Sequence, residues 1–137
     1  MKCGRNLLTG VFHSINQKVT IIQMTIKEIT EIIDGKVICC EEKLSTQVEY
    51  AFSSDLMSDV LTVEKENLLL ITGLANLQTI RTSEMSDITC IIFGRDKKIG
   101  AEMVSLAREN HMILVESPHS VFHISGELYK AGIKSIY

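Results

Sequence analysis

The sequence has no Cys-x-x-Cys pair, no Gly-x-Ser-x-Gly turn and no Gly-x-x-x-x-Gly-Lys-Ser/Thr loop. Those absences argue against a paired-thiol zinc ribbon, the nucleophile of an α/β hydrolase and the phosphate cradle of a P-loop kinase. No apolar run approaches the roughly 20 residues needed to cross a bilayer. Basic residues are few and scattered: 14 Lys and Arg against 17 Asp and Glu leave a net charge of −3. That balance disfavours nucleic-acid binding by broad phosphate neutralisation. The one basic spot, Arg95-Asp96-Lys97-Lys98, reads as a solvated loop and helix start. No linker, low-complexity segment or internal repeat is present.

What is present suits one domain. A chain of 137 residues can bury roughly 65–70% of its unfolded surface. With 45% apolar residues, a core forms without covalent staples. The four cysteines are Cys3, Cys39, Cys40 and Cys90. Cys39 and Cys40 would point to opposite faces of a strand, and Cys90 lies in an apolar run as a small core residue. Reduced thiols of a cytoplasmic protein are the expectation, with neither disulfides nor zinc.

The first 23 residues stand apart. Basic residues precede Leu7-Leu8-Thr9-Gly10-Val11-Phe12, yet this run is short, interrupted, and followed by no small-residue cleavage site. At Met24 a helix opens with full punctuation. Thr25 and Glu28 make a capping box, and Met24 can staple onto Ile29. The domain is therefore expected over 24–137, with 1–23 a loosely attached extension.

Apolar positions Ile26, Ile29, Ile32 and Ile33 share one helical face, ended by Gly35. Strands are expected at Lys36–Cys40 and Val48–Phe52, then a helix carrying Leu56, Met57, Val60 and Leu61. The continuous Leu68–Ile71 run suits a strand covered on both faces. A helix over Asn76–Ser86, a strand over Ile88–Phe93, a helix over Lys97–Glu109 and a strand over Met112–Val115 follow. Ser117-Pro118 fits an N-cap with proline at the first helical position. That helix runs through Val121, Ile124, Leu128 and Tyr129 to Gly132, and Ile133–Tyr137 is expected either to add an edge strand or to trail off. Alternating strands and helices predict an α/β domain with a mostly parallel sheet and right-handed crossovers.

In such sheets ligands bind beyond the carboxyl ends of the strands. Those ends hold Ser53, Ser54 and Asp55; Thr72, Gly73 and Asn76; Gly94, Arg95 and Asp96; and Ser117, Pro118, His119 and Ser120. Each group leads into a helix whose first N–H groups lack intrahelical partners and can hold an anion. Gly73 and Gly94 let a ligand approach the backbone closely. Ser, Thr, Asn and Asp are equally ordinary helix caps, so the set is more telling than its members. His119 and His123 are four apart without a third metal ligand. Asp55 and Asp59 read as a cap and a solvated face residue.

Three segments carry a resemblance. They are Ser54-Asp55-Leu56-Met57-Ser58-Asp59-Val60-Leu61, Leu70-Ile71-Thr72-Gly73-Leu74-Ala75-Asn76 and Ile80-Arg81-Thr82-Ser83-Glu84-Met85. In that order they resemble the stand-alone DRTGG-domain proteins of anaerobic bacteria, across about 24–137. Wider relatives sit between CBS domains in some pyrophosphatases and precede the catalytic part of some phosphotransacetylases. A related fold forms the N-terminal domain of the bifunctional kinase and phosphorylase acting on the histidine-containing phosphocarrier protein. The resemblance implies an α/β regulatory domain that dimerises or transmits a signal; stand-alone members are often associated with iron-hydrogenase and redox regulatory gene clusters. The naming motif is absent: Thr72-Gly73-Leu74-Ala75-Asn76 and Phe93-Gly94-Arg95-Asp96 occupy the corresponding turns.

The expectation is a non-enzymatic, cytoplasmic regulatory domain without cofactor or metal, homodimeric, sensing a nucleotide or small anion. Its ligand-binding residues would be Ser54, Asp55, Thr72, Gly73, Asn76, Gly94, Arg95 and Ser117. The alternative is an adaptor that recruits a hydrogenase or signalling kinase without a small ligand. An enzyme working through Asp55 or His119 is disfavoured, because neither has an identifiable catalytic partner.

Overall fold

The computed structural model describes residues 23–137; the expected extension lies outside them except for Gln23. Two short strands, β1 (Met24–Thr25) and β3 (Gln47–Val48), pair antiparallel beside the start of α1 (Ile26–Ile32). The capping box forms: Thr25 Oγ1 accepts from the Glu28 amide, and Glu28 returns a carboxylate to the Thr25 amide. Met24 packs against the core at the entrance to this helix, as a hydrophobic staple requires.

The main sheet contains β2 (Lys36–Cys39), β4 (Tyr50–Ser53), β5 (Leu68–Thr72), β6 (Cys90–Phe93), β7 (Ile113–Glu116) and β8 (Lys134–Ser135). Their order is β2-β7-β6-β5-β4-β8, parallel throughout except for β2, which is antiparallel at the edge. Every residue of β5, β6 and β7 is buried, so the two-sided cover inferred from the Leu68 run is real. Between the strands lie α2 (Met57–Val60), α3 (Leu77–Met85), α4 (Ala101–Glu109) and α5 (Val121–Ala131). From β4 to β7 the chain steps steadily across the sheet, then α5 carries it back to the far edge at β8. Right-handed crossovers then put α2–α4 on one face and α5 on the other. In agreement, α2 touches α3, α3 touches α4, and α5 lies on β5 beside α1.

Several expected boundaries move, each for a visible reason. The Val48–Phe52 segment is two strands, because the Glu49 and Tyr50 amides both turn to the Asn67 carbonyl. Helix α2 has one turn, with Leu56 and Leu61 exposed. Helix α4 begins four residues later than Lys97. Arg95 and Asp96 both adopt left-handed backbone (φ 62° and 57°), and the Ile99 amide donates to the Glu116 carboxylate instead of entering a helix. The N-cap of α5 is Ser120, whose hydroxyl accepts from the His123 amide, not Ser117. Cys40 also departs from expectation. It leaves β2 in left-handed backbone (φ 64°), which turns its sulfur to within 3.3 Å of Cys39 Sγ, both side chains buried.

Candidate functional site

Four of the expected residues meet over the carboxyl end of β5. Asp55 leaves β4 and reaches back: its Oδ1 accepts from the Thr72 hydroxyl at 2.7 Å and from the Gly73 amide at 2.8 Å. Thr72 is fully buried, and its hydroxyl oxygen accepts in turn from the Leu74 amide. These hydrogen bonds, followed by the nearby Arg95 charge, hold the Asp55 carboxyl below its ordinary value of 3.8. From the next loop Arg95 lays its guanidinium over Gly73. A Cβ on Gly73 would come within 3.2 Å of Arg95 Nη1 and 3.5 Å of Asp55 Oδ2. Among the described residues, Arg95 makes no side-chain hydrogen bond or ion pair within the chain.

The other expected residues are placed differently. Ser54 closes its own turn, accepting from the Leu56 amide. Asn76 caps α3, its Oδ1 accepting from the Thr79 amide and hydroxyl. It also lines a shallow cavity of about 450 Å³ with Leu77, Lys98, Gly100 and Met103, between the openings of α3 and α4. Gly94 is buried under the β7–α5 loop, where a Cβ would meet the His119 carbonyl at 3.1 Å. Ser117 points inward and donates to the Ile33 carbonyl at 2.8 Å.

These placements follow from the topology. The outgoing connections of β6 and β7 diverge to opposite faces, which makes that gap the switch point where α/β sheets usually take ligands. Here the two loops join across it: the Arg95 amide donates to the His119 carbonyl at 2.7 Å, and Asp96 to Ser117 at 3.0 Å. The crevice is thereby closed by backbone. The accessible polar ground moves one strand over, to Asp55, Gly73 and Arg95.

His119 precedes the N-cap of α5 rather than lying on the helix. Its Nε2 is 2.8 Å from Asp34 Oδ2, and its ring lies 4.2 Å from that of His123 between centroids, tilted by 31°. Among the described residues no group of three metal-ligating side chains occurs. Asp55 and Asp59 are not a pair, since Asp55 is engaged with Thr72. No helix of the described residues is long and apolar enough to cross a membrane.

An apolar groove of about 410 Å³ escaped the sequence reading. It lies between α5 and the β4–β8 edge, lined by Phe52, Ser53, Ser125, Leu128, Ile133 and Ile136 among others. Phe122, Tyr129 and Tyr137 also line it, at 87%, 71% and 88% exposure. The available signal was Phe122 and Tyr129, seven apart on one helix: that spacing places two large apolar groups on one stripe. The stripe alone does not reveal that it faces away from the core.

No protein-family model matches the chain, and neither does any curated protein. Among solved structures, the chain is similar to the crystal structure of the CBS and DRTGG domains of the regulatory region of Clostridium perfringens pyrophosphatase, complexed with its activator, diadenosine tetraphosphate. The TM-score is 0.64 at 14% identity, covering 80% of this chain and 47% of that one. This chain thus spans about half the length of that regulatory region. The likeness establishes a shared α/β fold with a CBS- and DRTGG-containing regulatory region.

Proposed function

We propose that residues 24–137 form a non-enzymatic, ligand-sensing regulatory domain of the DRTGG type, acting as a homodimer in the cytoplasm. Its ligand is a nucleotide or small anion held where Asp55, Thr72, Gly73 and Arg95 converge. The observation that carries this reading is the Arg95 guanidinium, poised over a residue without a side chain and engaged by no carboxylate among the described residues. A guanidinium so placed can pair with a phosphate or carboxylate in two parallel hydrogen bonds. The free Oδ2 side of Asp55 is an acceptor for ligand hydroxyls, such as those of a ribose. The fold shared with a regulatory region crystallised with a dinucleotide activator supports the same reading. By sequence resemblance, the pathway served is hydrogenase-linked redox metabolism in anaerobes.

A thermal-shift screen with mononucleotides, dinucleoside polyphosphates, acyl phosphates and small carboxylates tests this. A ligand selective for the native state stabilises it by about 2.7 kcal/mol at a hundredfold excess over Kd. At least one class is expected to raise Tm in the wild type and to lose most of that effect in Arg95→Ala. If no ligand moves Tm, or the shift survives in Arg95→Ala, the reading fails. A second reading, an adaptor recruiting a hydrogenase or signalling kinase, draws on the exposed aromatics of α5. It predicts partner co-purification that is indifferent to Arg95→Ala.

A further inference from the structure

We infer that the homodimer is built on the outer face of α5, with two copies of the helix crossing antiparallel at Gly126. This rests on the homodimer in the reading above and assigns it a surface.

Gly126 sits in the middle of α5, is exposed, and a Cβ added there would meet nothing within 4 Å. Mid-helix glycine is destabilising relative to alanine, and nothing among the described residues requires it. Close approach of a second backbone would. Phe122 lies four residues before Gly126 and Tyr129 three after it, on the same stripe of the helix. A twofold axis through this position sets Phe122 of each copy against Tyr129 of the other, so the surface is complementary to itself, as an isologous contact must be.

The exposed area is of the right order. Aromatic side chains carry roughly 150–250 Å² each, so Phe122, Tyr129 and Tyr137 at 87%, 71% and 88% exposure present on the order of 500 Å² of ring surface. A standard interface takes about 800 Å² from each partner, so these three rings supply more than half of one partner's share. Lys130, four residues after Gly126, stands at the edge of the stripe. It pairs with Glu127 at 3.6 Å within each copy, which partly balances its charge there.

Sedimentation across the micromolar range tests the surface directly. The wild type is expected to associate, with Phe122→Glu weakening the dimer by at least about tenfold, as for a central interface residue. Circular dichroism of that variant should remain native, because Phe122 is exposed in the monomer. Gly126→Ala is expected to weaken association while raising the monomer's melting temperature, an opposition no purely structural role would produce. In a Cys3→Ser background, Gly126→Cys should form a disulfide-linked dimer under mild oxidation, and Ser105→Cys on α4 should not. A monomeric wild type overturns the homodimer itself and leaves the face to another protein or a planar ligand. A dimer that tolerates Phe122→Glu, or gives no Gly126→Cys crosslink, overturns this surface alone.

Discussion

Gly73 lies beneath the guanidinium of Arg95, so close that a methyl group at residue 73 would approach Arg95 Nη1 to 3.2 Å. The obstacle is the far end of a flexible, exposed side chain rather than backbone. Gly73→Ala is therefore expected to change stability by less than about 0.5 kcal/mol, because Arg95 can swing aside. It should still displace the guanidinium and reduce any anion-dependent rise in Tm. Urea unfolding together with the ligand screen separates the two effects.

Asp55 supports the same corner from below. Asp55→Ala removes the acceptor of the buried Thr72 hydroxyl and of the Gly73 amide, at an expected cost of about 1–2 kcal/mol. The charge adds a pH dependence of known sign. The folded-state pKa is depressed below 3.8, so the contribution is fully present above that value and is lost as pH falls through the folded-state pKa. Asp55→Asn should show a flatter acid limb than the wild type in stability measured from neutral pH downward.

The start of α5 offers a test of local structure. Ser120→Ala should cost about 1 kcal/mol, the usual loss of an N-cap. Ser117→Ala should cost a similar amount or more for a different reason: it leaves the Ile33 carbonyl without its buried partner. Pro118→Ala, outside the helix and exposed, should fall within about 0.5 kcal/mol of wild type. Had Pro118 occupied the first helical position, its replacement would have been felt.

Cys39 and Cys40 bring two thiols together in the core. Burial, reinforced by the hydrogen bond with Cys40, raises the Cys39 pKa from 9.0 to about 11; burial alone pushes Cys90 up as well. A folded-state pKa above the unfolded one contributes stability that is intact below pH 9 and is lost as pH rises towards 11. Cys39→Ser is expected to reduce this alkaline loss. In the native wild type at neutral pH, alkylation of Cys39, Cys40 and Cys90 should be slow, and it should become rapid in urea.

Much of the fold was legible because its signals are local. Thr25 and Glu28 meet within one turn, Leu68–Ile71 is apolar without a break, and strand–helix alternation leaves few alternatives to a parallel sheet. Boundaries failed where a distant group captured a backbone amide or a side chain. Glu116 holds the Ile99 amide seventeen residues earlier, and Ile33 holds Ser117 across 84 positions. No sequence window spans such pairs. The opposed faces expected of Cys39 and Cys40 failed because one left-handed residue ended the alternation on which the inference depended.

The candidate site divides along the same line. From residue types alone, the polar turns of this chain were visible as a possible rim, with Asp55, Gly73 and Arg95 among them. Hydrophobic periodicity and capping preference act over a few residues, so the elements, and the ends at which polar groups gather, follow from local sequence. Which turns remain open depends on contacts between segments far apart in the chain. Strand order brought the Arg95 and His119 loops into register and closed the switch point with backbone hydrogen bonds, leaving the ground over Gly73. It also left Phe122 and Tyr129 uncovered, because α1 flanks α5 on one side only and no element of the described residues covers its β4–β8 side.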